Sequence, residues 1–260
     1  MTEGLGALLE NLYGTWNRRE FVHPDPLEFL YGYDDPADRE IVGLLASSLA
    51  YGRVTQILRS VGSVLGMMGE HPSKFPPRLL RENLGGFRHR FTPGDSIAEI
   101  FQGAVRLQER HGSLGAFVSH EVSCSGLLEA QRLLVHGILD SAGPTSLLPC
   151  PTRGSCCKRL NLWFRWMVRS DAVDPGGWVG VSPSVLLVPL DTHMWKVGRS
   201  LGFTARKCPD LKAVLEITEG FRGLCPCDPV RYDFTLTRFG IRSGLSLETL
   251  LEELDRQEGK

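Results

Sequence analysis

Apolar residues recur along this chain at three- and four-residue spacings, the period of a helix that buries one face, and no stretch sustains the apolar/polar alternation of a half-buried strand. The spacing predicts helices near 4–16, 37–50, 54–68, 95–110, 125–140, 155–169, 192–201, 209–221, 229–239 and 246–257. Helix breakers fall between them, at Pro72, Pro76-Pro77, Gly85-Gly86, Pro93-Gly94, Gly143-Pro144, Pro175-Gly176-Gly177 and Pro226. The pattern is that of an all-α fold. The Pro/Gly-rich stretch 70–94 and the segment 141–154 are the candidate boundaries, and neither is long or polar enough to be a flexible linker. A single unit over 1–260 is therefore expected. It divides into a helical lobe of about 25–145 and a second of about 146–240, with further helices at both termini.

Composition narrows the class without naming it. A chain of 260 residues can bury a substantial core without disulfides, and 42% hydrophobic with 23% charged residues is ordinary for a globular protein. No apolar run approaches membrane-spanning length, and Glu3 and Glu10 interrupt any secretory leader. A cytoplasmic monomer, nucleoid-associated if bacterial, is the expectation. The seven cysteines are odd in number and scattered, with Cys156-Cys157 adjacent and Cys225-x-Cys227 too tight for common zinc spacings, so reduced thiols are expected. A formal net charge of −1 does not mark a nucleic-acid binder. Its distribution does more. Arg153, Lys158, Arg159, Arg165 and Arg169 fall in one run with no acidic residue, and Lys196, Arg199, Arg206 and Lys207 form a second, while acid gathers in Asp25–Glu40 and Glu248–Glu258. Such polarity suits a face that meets phosphate, although a charge run is equally a solvated surface.

Two segments carry candidate chemistry. After Val185-Leu186-Leu187-Val188 and Pro189, Asp191 is placed to cap a helix whose apolar face is Val197 and Leu201 and whose stop is Gly202. Read alone, Asp191 is a cap. Upstream, Pro149-Cys150-Pro151-Thr152-Arg153-Gly154-Ser155 reads as a hairpin feeding the helix that begins near Lys158. Gly154 would make the turn and Ser155 the cap, with exposed amides offered to a phosphate. Trp163, Phe164 and Trp166 cannot all face one way, so one ring is free to reach a cleft. Asp228-Pro229 supplies a cap and a first-turn proline for a late helix that ends at Gly240.

Pro189-Leu190-Asp191-Thr192-His193, with Lys196-Val197, Arg199 and Leu201-Gly202, is similar to the segment bearing the catalytic aspartate in helix-hairpin-helix DNA glycosylases, the endonuclease III and 8-oxoguanine glycosylase superfamily. The resemblance implies two compact helical lobes around a cleft, with an extruded base held between them. It implies Lys158 as nucleophile and Asp191 as its electrostatic partner. Lys158 stands four residues beyond Gly154, the Leu-Pro-Gly-x-Gly signature of the hairpin is absent, and the 33-residue separation from Asp191 is similar to that of the archaeal 8-oxoguanine enzymes. Arg39–Val54 resembles the early helix whose end enters the gap left by the flipped base, which puts Tyr51 and Arg53 at that gap. The residues expected to meet DNA are Tyr51, Arg53, Arg153, Gly154, Ser155, Arg159, Arg165, Arg169 and His193. Those expected to line the base pocket are Trp163, Trp166, Tyr232 and Asp233. Read singly, Tyr51 is a core ring before a helix stop and Lys158 an ordinary surface or phosphate-contacting lysine.

Across most of its length the chain also resembles a bacterial family catalogued as domain of unknown function 2400, through Asp38-Arg39-Glu40-Ile41, Lys158–Arg169, Pro189–His193 and Asp228–Phe234. That family brings no reaction with it. The expected activity is base-excision glycosylase, with or without an AP-lyase step, on a damaged base such as an oxidised purine. A buried carboxylate would stabilise cationic character on the sugar while a neutral amine attacks the anomeric carbon. On a helix Arg165 shares a face with Lys158 and is expected to disfavour its protonated form. No cofactor and no metal are expected, because the histidines are scattered and the Cys-x6-Cys-x2-Cys-x5-Cys array of an iron–sulfur cluster is missing. The partner expected is DNA, without a membrane. The alternatives are a non-catalytic nucleic-acid-binding module on the same scaffold, and a helical protein-interaction domain.

Overall fold

The computed structural model describes residues 2–140 and 145–241. Among these residues eleven α-helices run in the order α1 (Thr2–Trp16), α2 (Pro36–Ser48), α3 (Val54–Met68), α4 (Pro77–Asn83), α5 (Gly94–His111), α6 (Leu114–Ser125), α7 (Leu127–Leu139), α8 (Lys158–Val168), α9 (Thr192–Ser200), α10 (Leu211–Leu224) and α11 (Asp233–Ile241). The helices start where the sequence supplies caps. Asp35, Ser113, Asp191 and Asp210 each accept a hydrogen bond from a backbone N–H two or three residues on, which satisfies one donor of a first turn that has no intrahelical partner.

Helix α2 occupies the centre. Every residue from Glu40 to Ser48 is buried, as required of a helix covered on all sides, and α3, α5, α6 and α8 pack on it. Glu40 fixes this arrangement. Its carboxylate accepts from Gln108 Nε2 (2.7 Å), Leu114 N (2.9 Å), Gly115 N (2.7 Å) and Trp178 Nε1 (2.8 Å), joining α2 to α5, to the first turn of α6 and to the segment after α8. Burial pushes the Glu40 carboxyl above its ordinary range, and the four donors oppose that push. Where α5 crosses α7, a Cβ on Gly103 would lie 1.8 Å from the Ile138 carbonyl oxygen, so only glycine permits the approach. Buried apolar residues from Leu5 to Leu236 form one connected cluster. Among the described residues no helix is long and apolar enough to cross a membrane.

Most helices fall within a few residues of their predicted limits, and the differences have local causes. The segment predicted as helix 125–140 begins instead at Leu127. Before it lies α6, whose Leu-Gly-Ala-Phe-Val-Ser-His-Glu-Val-Ser-Cys-Ser sequence has little helix propensity and is held by the Ser113 cap and Glu40. The late helix starts at Asp233 rather than near Pro229, because the Asp228 carboxylate accepts from Arg169 Nε at 2.9 Å instead of capping. The stretch 70–94 contains α4 and a minimal antiparallel hairpin, β1 (Arg88–His89) with β2 (Thr92–Pro93), and buries Leu80, Leu84 and His89. Two-residue strands are too short to leave an alternating pattern. The helix predicted over 246–257 lies outside the described residues.

Candidate functional site

The hairpin before α8 is built by one tight turn. Pro151–Arg153 forms a 3-10 turn, Gly154 follows in the left-handed region at φ +72°, and its N–H returns to the Pro151 carbonyl at 2.9 Å. The Gly154 carbonyl accepts from Leu211 N at 3.0 Å, which ties the turn to the start of α10. Ser155 Oγ accepts from Cys157 N at 3.2 Å, and the helix begins one residue later at Lys158. Lys158 is thus held at one helix start and Asp191 at another, where it caps α9.

These two starts converge. Lys158 Nζ lies 3.0 Å from Asp191 Oδ2, while Asp191 Oδ1 accepts from Met194 N at 2.8 Å. One carboxylate oxygen caps the helix and the other meets the amine, so the two readings of Asp191 in the sequence are compatible. Burial works to raise the Asp191 pKa, but the Lys158 charge and the Met194 N–H outweigh it and hold the carboxyl below its usual range. The pair remains reachable, with 35% of the Lys158 side chain and 30% of the Asp191 side chain exposed.

Both residues line a cavity of about 210 Å³. Pockets for drug-sized ligands run to roughly 300–1,000 Å³, so this one suits a single ring system. Leu162, Trp166 and Phe234 supply apolar wall, and Asp25, Arg165, His193 and Asp233 supply polar groups. Burial pushes the Asp233 carboxyl up to about 6, against the pull of Arg165. The cavity therefore holds two carboxylates displaced in opposite directions, one favouring the ionised form and one able to retain a proton in mildly acidic solution. Its Asp25, Asp191 and Asp233 outnumber Lys158 and Arg165, and Asp191 and Asp233 pair with those cations, which leaves little positive charge for a phosphate.

The remaining candidates divide. Trp166, Asp233, Arg165 and His193 share the cavity with Lys158 and Asp191. Arg165 and Arg169, expected to meet DNA, are only 3% exposed. Arg165 pairs with Asp174 and Asp233, and Arg169 with Asp174, with Asp171 at 2.8 Å and with Asp228 at 2.9 Å. Burial alone would lower the pKa of each guanidinium, but the surrounding carboxylates outweigh it and keep both charged. Neither is available to phosphate, and the charge of Arg165 is met by its own carboxylates rather than directed at Lys158. His193 contacts the Leu236 carbonyl through Nε2 at 3.0 Å, linking α9 to α11 in place of a phosphate. Trp163 is fully buried in edge contacts with Phe164 and Trp178, outside the cavity wall. Tyr232 is also buried, and its hydroxyl donates to Glu10 Oε1 at 2.6 Å, so it too is absent from the wall.

Tyr51 is half-buried, with its hydroxyl donating to the His89 carbonyl at 3.0 Å and its ring beside Phe91 and under Arg159. It is therefore not free to enter a gap in a base stack. Arg159 donates to the Ser48 carbonyl at 2.9 Å and to the Ser146 carbonyl, and its guanidinium lies 4.9 Å from the Tyr51 ring centroid. Arg53, Arg153 and Gly154 are exposed, and Ser155 is half-buried.

Sequence reasoning missed Phe91, 61% exposed beside the hairpin turn, and Asp174, the buried carboxylate shared by two arginines. The signal for Phe91 was the basic and aromatic interleaving of Arg88-His89-Arg90-Phe91. Among the described residues no group of three or more His, Cys, Asp or Glu side chains is arranged to hold a metal ion. All seven cysteines carry free thiols.

Fold and site together define an all-helical protein with a lysine–aspartate pair in a small, partly open cavity. The chain belongs to the family described as Protein of unknown function (DUF2400), whose model matches residues 25–242 and so includes Lys158, Asp191 and Asp233. No curated protein and no solved structure matches it.

Proposed function

We propose that this protein binds nucleic acid on the face where the Lys158–Asp191 cavity opens, and that the cavity admits one unstacked nucleobase. The observation that carries the reading is the 3.0 Å approach of Lys158 Nζ to Asp191 Oδ2 within one ring-sized space. Apolar wall from Trp166 and Phe234 suits the faces of a base. A non-catalytic nucleic-acid-binding scaffold satisfies this much, and the resting ion pair favours it, because an ammonium held by an ionised carboxylate has no lone pair for attack.

The finer reading is a helix-hairpin-helix DNA glycosylase with lyase activity, its lobes at about 25–145 and 146–240. The Gly154 turn before α8 and the capping position of Asp191 support it. Once Lys158 has given up its proton, Nζ forms a bond to the anomeric carbon as the N-glycosidic bond breaks. The base leaves with the electron pair and takes a proton, while Asp191 stabilises the cationic sugar. One of the two protons on the attached nitrogen then passes to the ring oxygen O4′ as the C1′–O4′ bond breaks, and the nitrogen lone pair forms the C1′=N bond of a protonated Schiff base.

Borohydride reduces that Schiff base to a stable adduct. Incubating the full chain with borohydride and oligonucleotides carrying single lesions, oxidised purines first, is expected to give a covalent complex that Lys158→Gln abolishes. Base release without an adduct would remove the lyase step. Salt-dependent binding that survives Lys158→Gln, with neither adduct nor base release across the lesion panel, would select the non-catalytic module.

A further inference from the structure

We infer that the aromatic and cationic groove formed by Tyr51, Phe91 and Arg159, beside the cavity, is a second nucleobase site that stacks the unpaired neighbour of the base in the cavity. The inference deepens the proposed function and rests on it.

The groove is built, not incidental. His89 is fully buried, with Nδ1 2.8 Å from Ser60 Oγ and Nε2 3.1 Å from the Tyr51 carbonyl oxygen, while the Tyr51 hydroxyl returns to the His89 carbonyl. These contacts pin the β1–β2 hairpin to the turn after α2 and fix the residues at its tip. Arg90 occupies the left-handed region at φ 54° and lies across Gly52, itself at φ +102°. A Cβ on Gly52 would lie 2.8 Å from Arg90 Cδ, so glycine is what lets the arginine lie flat there. Phe91 is thereby presented to solvent beside the Tyr51 ring, centroids 5.1 Å apart and planes tilted by 32°. Arg159 stands 4.9 Å from the Tyr51 centroid, and Arg90 lies 5.7 Å from Tyr51 and 5.9 Å from Phe91.

The groove encloses about 550 Å³ and shares Ala50, Ile57 and Lys158 with the cavity, so the two are contiguous. Their charges are complementary to the parts of one nucleotide strand. The groove wall adds Arg159 and no acidic residue to the shared Lys158, whereas the cavity sets Asp25, Asp191 and Asp233 against Lys158 and Arg165. Phosphate is drawn to the first more than to the second, where Asp191 and Asp233 already pair with Lys158 and Arg165 and Asp25 adds a further negative charge. Aromatic rings stack on any base whatever its sequence. The occupant that fits both spaces is a strand with two adjacent unpaired bases, because bases paired and stacked in an intact duplex hide their faces.

The test uses the full chain with a short oligothymidylate carrying one 2-aminopurine, and the same sequence as an intact duplex. Anisotropy reads affinity and 2-aminopurine emission reads stacking. Stacking on an aromatic ring is worth roughly one to two powers of ten in affinity, so Phe91→Ala is expected to weaken single-strand binding about tenfold or more and to relieve the quenching. Phe91→Trp is expected to keep both, and duplex affinity to change by less than about twofold in either variant. Phe91 is exposed, so an unchanged melting temperature checks that the Ala variant folds. If Phe91→Ala binds the single strand as tightly as the wild type, or loses single strand and duplex equally, the stacking site is overturned while nucleic-acid binding stands. If the wild type binds neither form at low salt, the proposed function falls and takes this inference with it.

Discussion

Lys158 at the start of α8 and Arg165 and Arg169 near its end occupy one helical stripe, spaced by seven and then four residues, yet they meet opposite surroundings. The stripe begins at the cavity mouth, where 35% of the Lys158 side chain is exposed, and ends in the core, where each arginine side chain is 4% exposed. At the mouth one amine meets one carboxylate in reach of solvent. In the core two guanidinium groups are met by Asp171, Asp174, Asp228 and Asp233. The same kind of charge is a candidate for chemistry at one end and a cross-link at the other. What decides is whether the local chain supplies enough acceptors to satisfy a fork of donors away from water.

The strongest way to break that distinction is to remove the cross-link. Arg169→Ala leaves three carboxylates facing a space with one guanidinium, and truncating one partner of a buried ion pair costs about 3–5 kcal/mol. Urea unfolding followed by circular dichroism is expected to show a loss of that size, and Arg169→Lys, which keeps the charge but not the fork, a smaller one. A loss below about 1 kcal/mol for Arg169→Ala would place this end of α8 with ordinary surface charge.

The contrast was only half legible in the sequence. Helical spacing, the cap at Asp191 and glycine stops were legible, because these are local effects that a window of residues contains. The cavity pair was legible only through the resemblance of its two segments to those of a known enzyme superfamily, since read alone Asp191 is a cap and Lys158 an ordinary surface lysine. The run Arg153–Arg169 read as a single basic face because helical periodicity gives no sign that Asp171, two residues beyond it, folds back onto Arg169. Asp228 and Asp233 approach Arg169 and Arg165 from more than fifty residues away, and Asp174 from a loop with no pattern of its own. Phe91 escaped for a related reason. Its exposure depends on His89 being anchored by Ser60 and Tyr51, which are remote in the chain.

Titration sharpens the comparison, because each end owns one carboxylate of the cavity. Asp233, paired with Arg165, has its native pKa raised by burial from 3.8 to about 6, so the native state holds an extra proton between those values. Its effect on stability declines as pH rises through that window, and Asp233→Asn, which mimics the protonated form, is expected to gain on the wild type from about pH 4 to about pH 6. Asp191, paired with Lys158, has its pKa lowered from 3.8, so its contribution is present above that value and is lost as pH falls through the lower native one. The advantage of wild type over Asp191→Asn is therefore expected to shrink on acidification below about pH 4. Urea midpoints of the three proteins across pH 3 to 7 check both signs. Parallel curves for the two variants would mean that the ends of α8 do not differ electrostatically.

The smallest effect is expected at the residue with the most chemistry. Lys158→Gln removes a half-exposed ion pair, and such pairs are worth about 0–1 kcal/mol, since water solvates either partner when the other is gone. Asp191 keeps its bond from Met194 N, so the cap on α9 survives the substitution. The variant is expected to unfold within about 1 kcal/mol of the wild type while losing any borohydride adduct. A side chain placed in a cavity at almost no gain in stability is free to be held there by what it does to a ligand. If Lys158→Gln instead costs as much as Arg169→Ala, the amine is another structural cross-link, and loss of the adduct would no longer separate chemistry from misfolding.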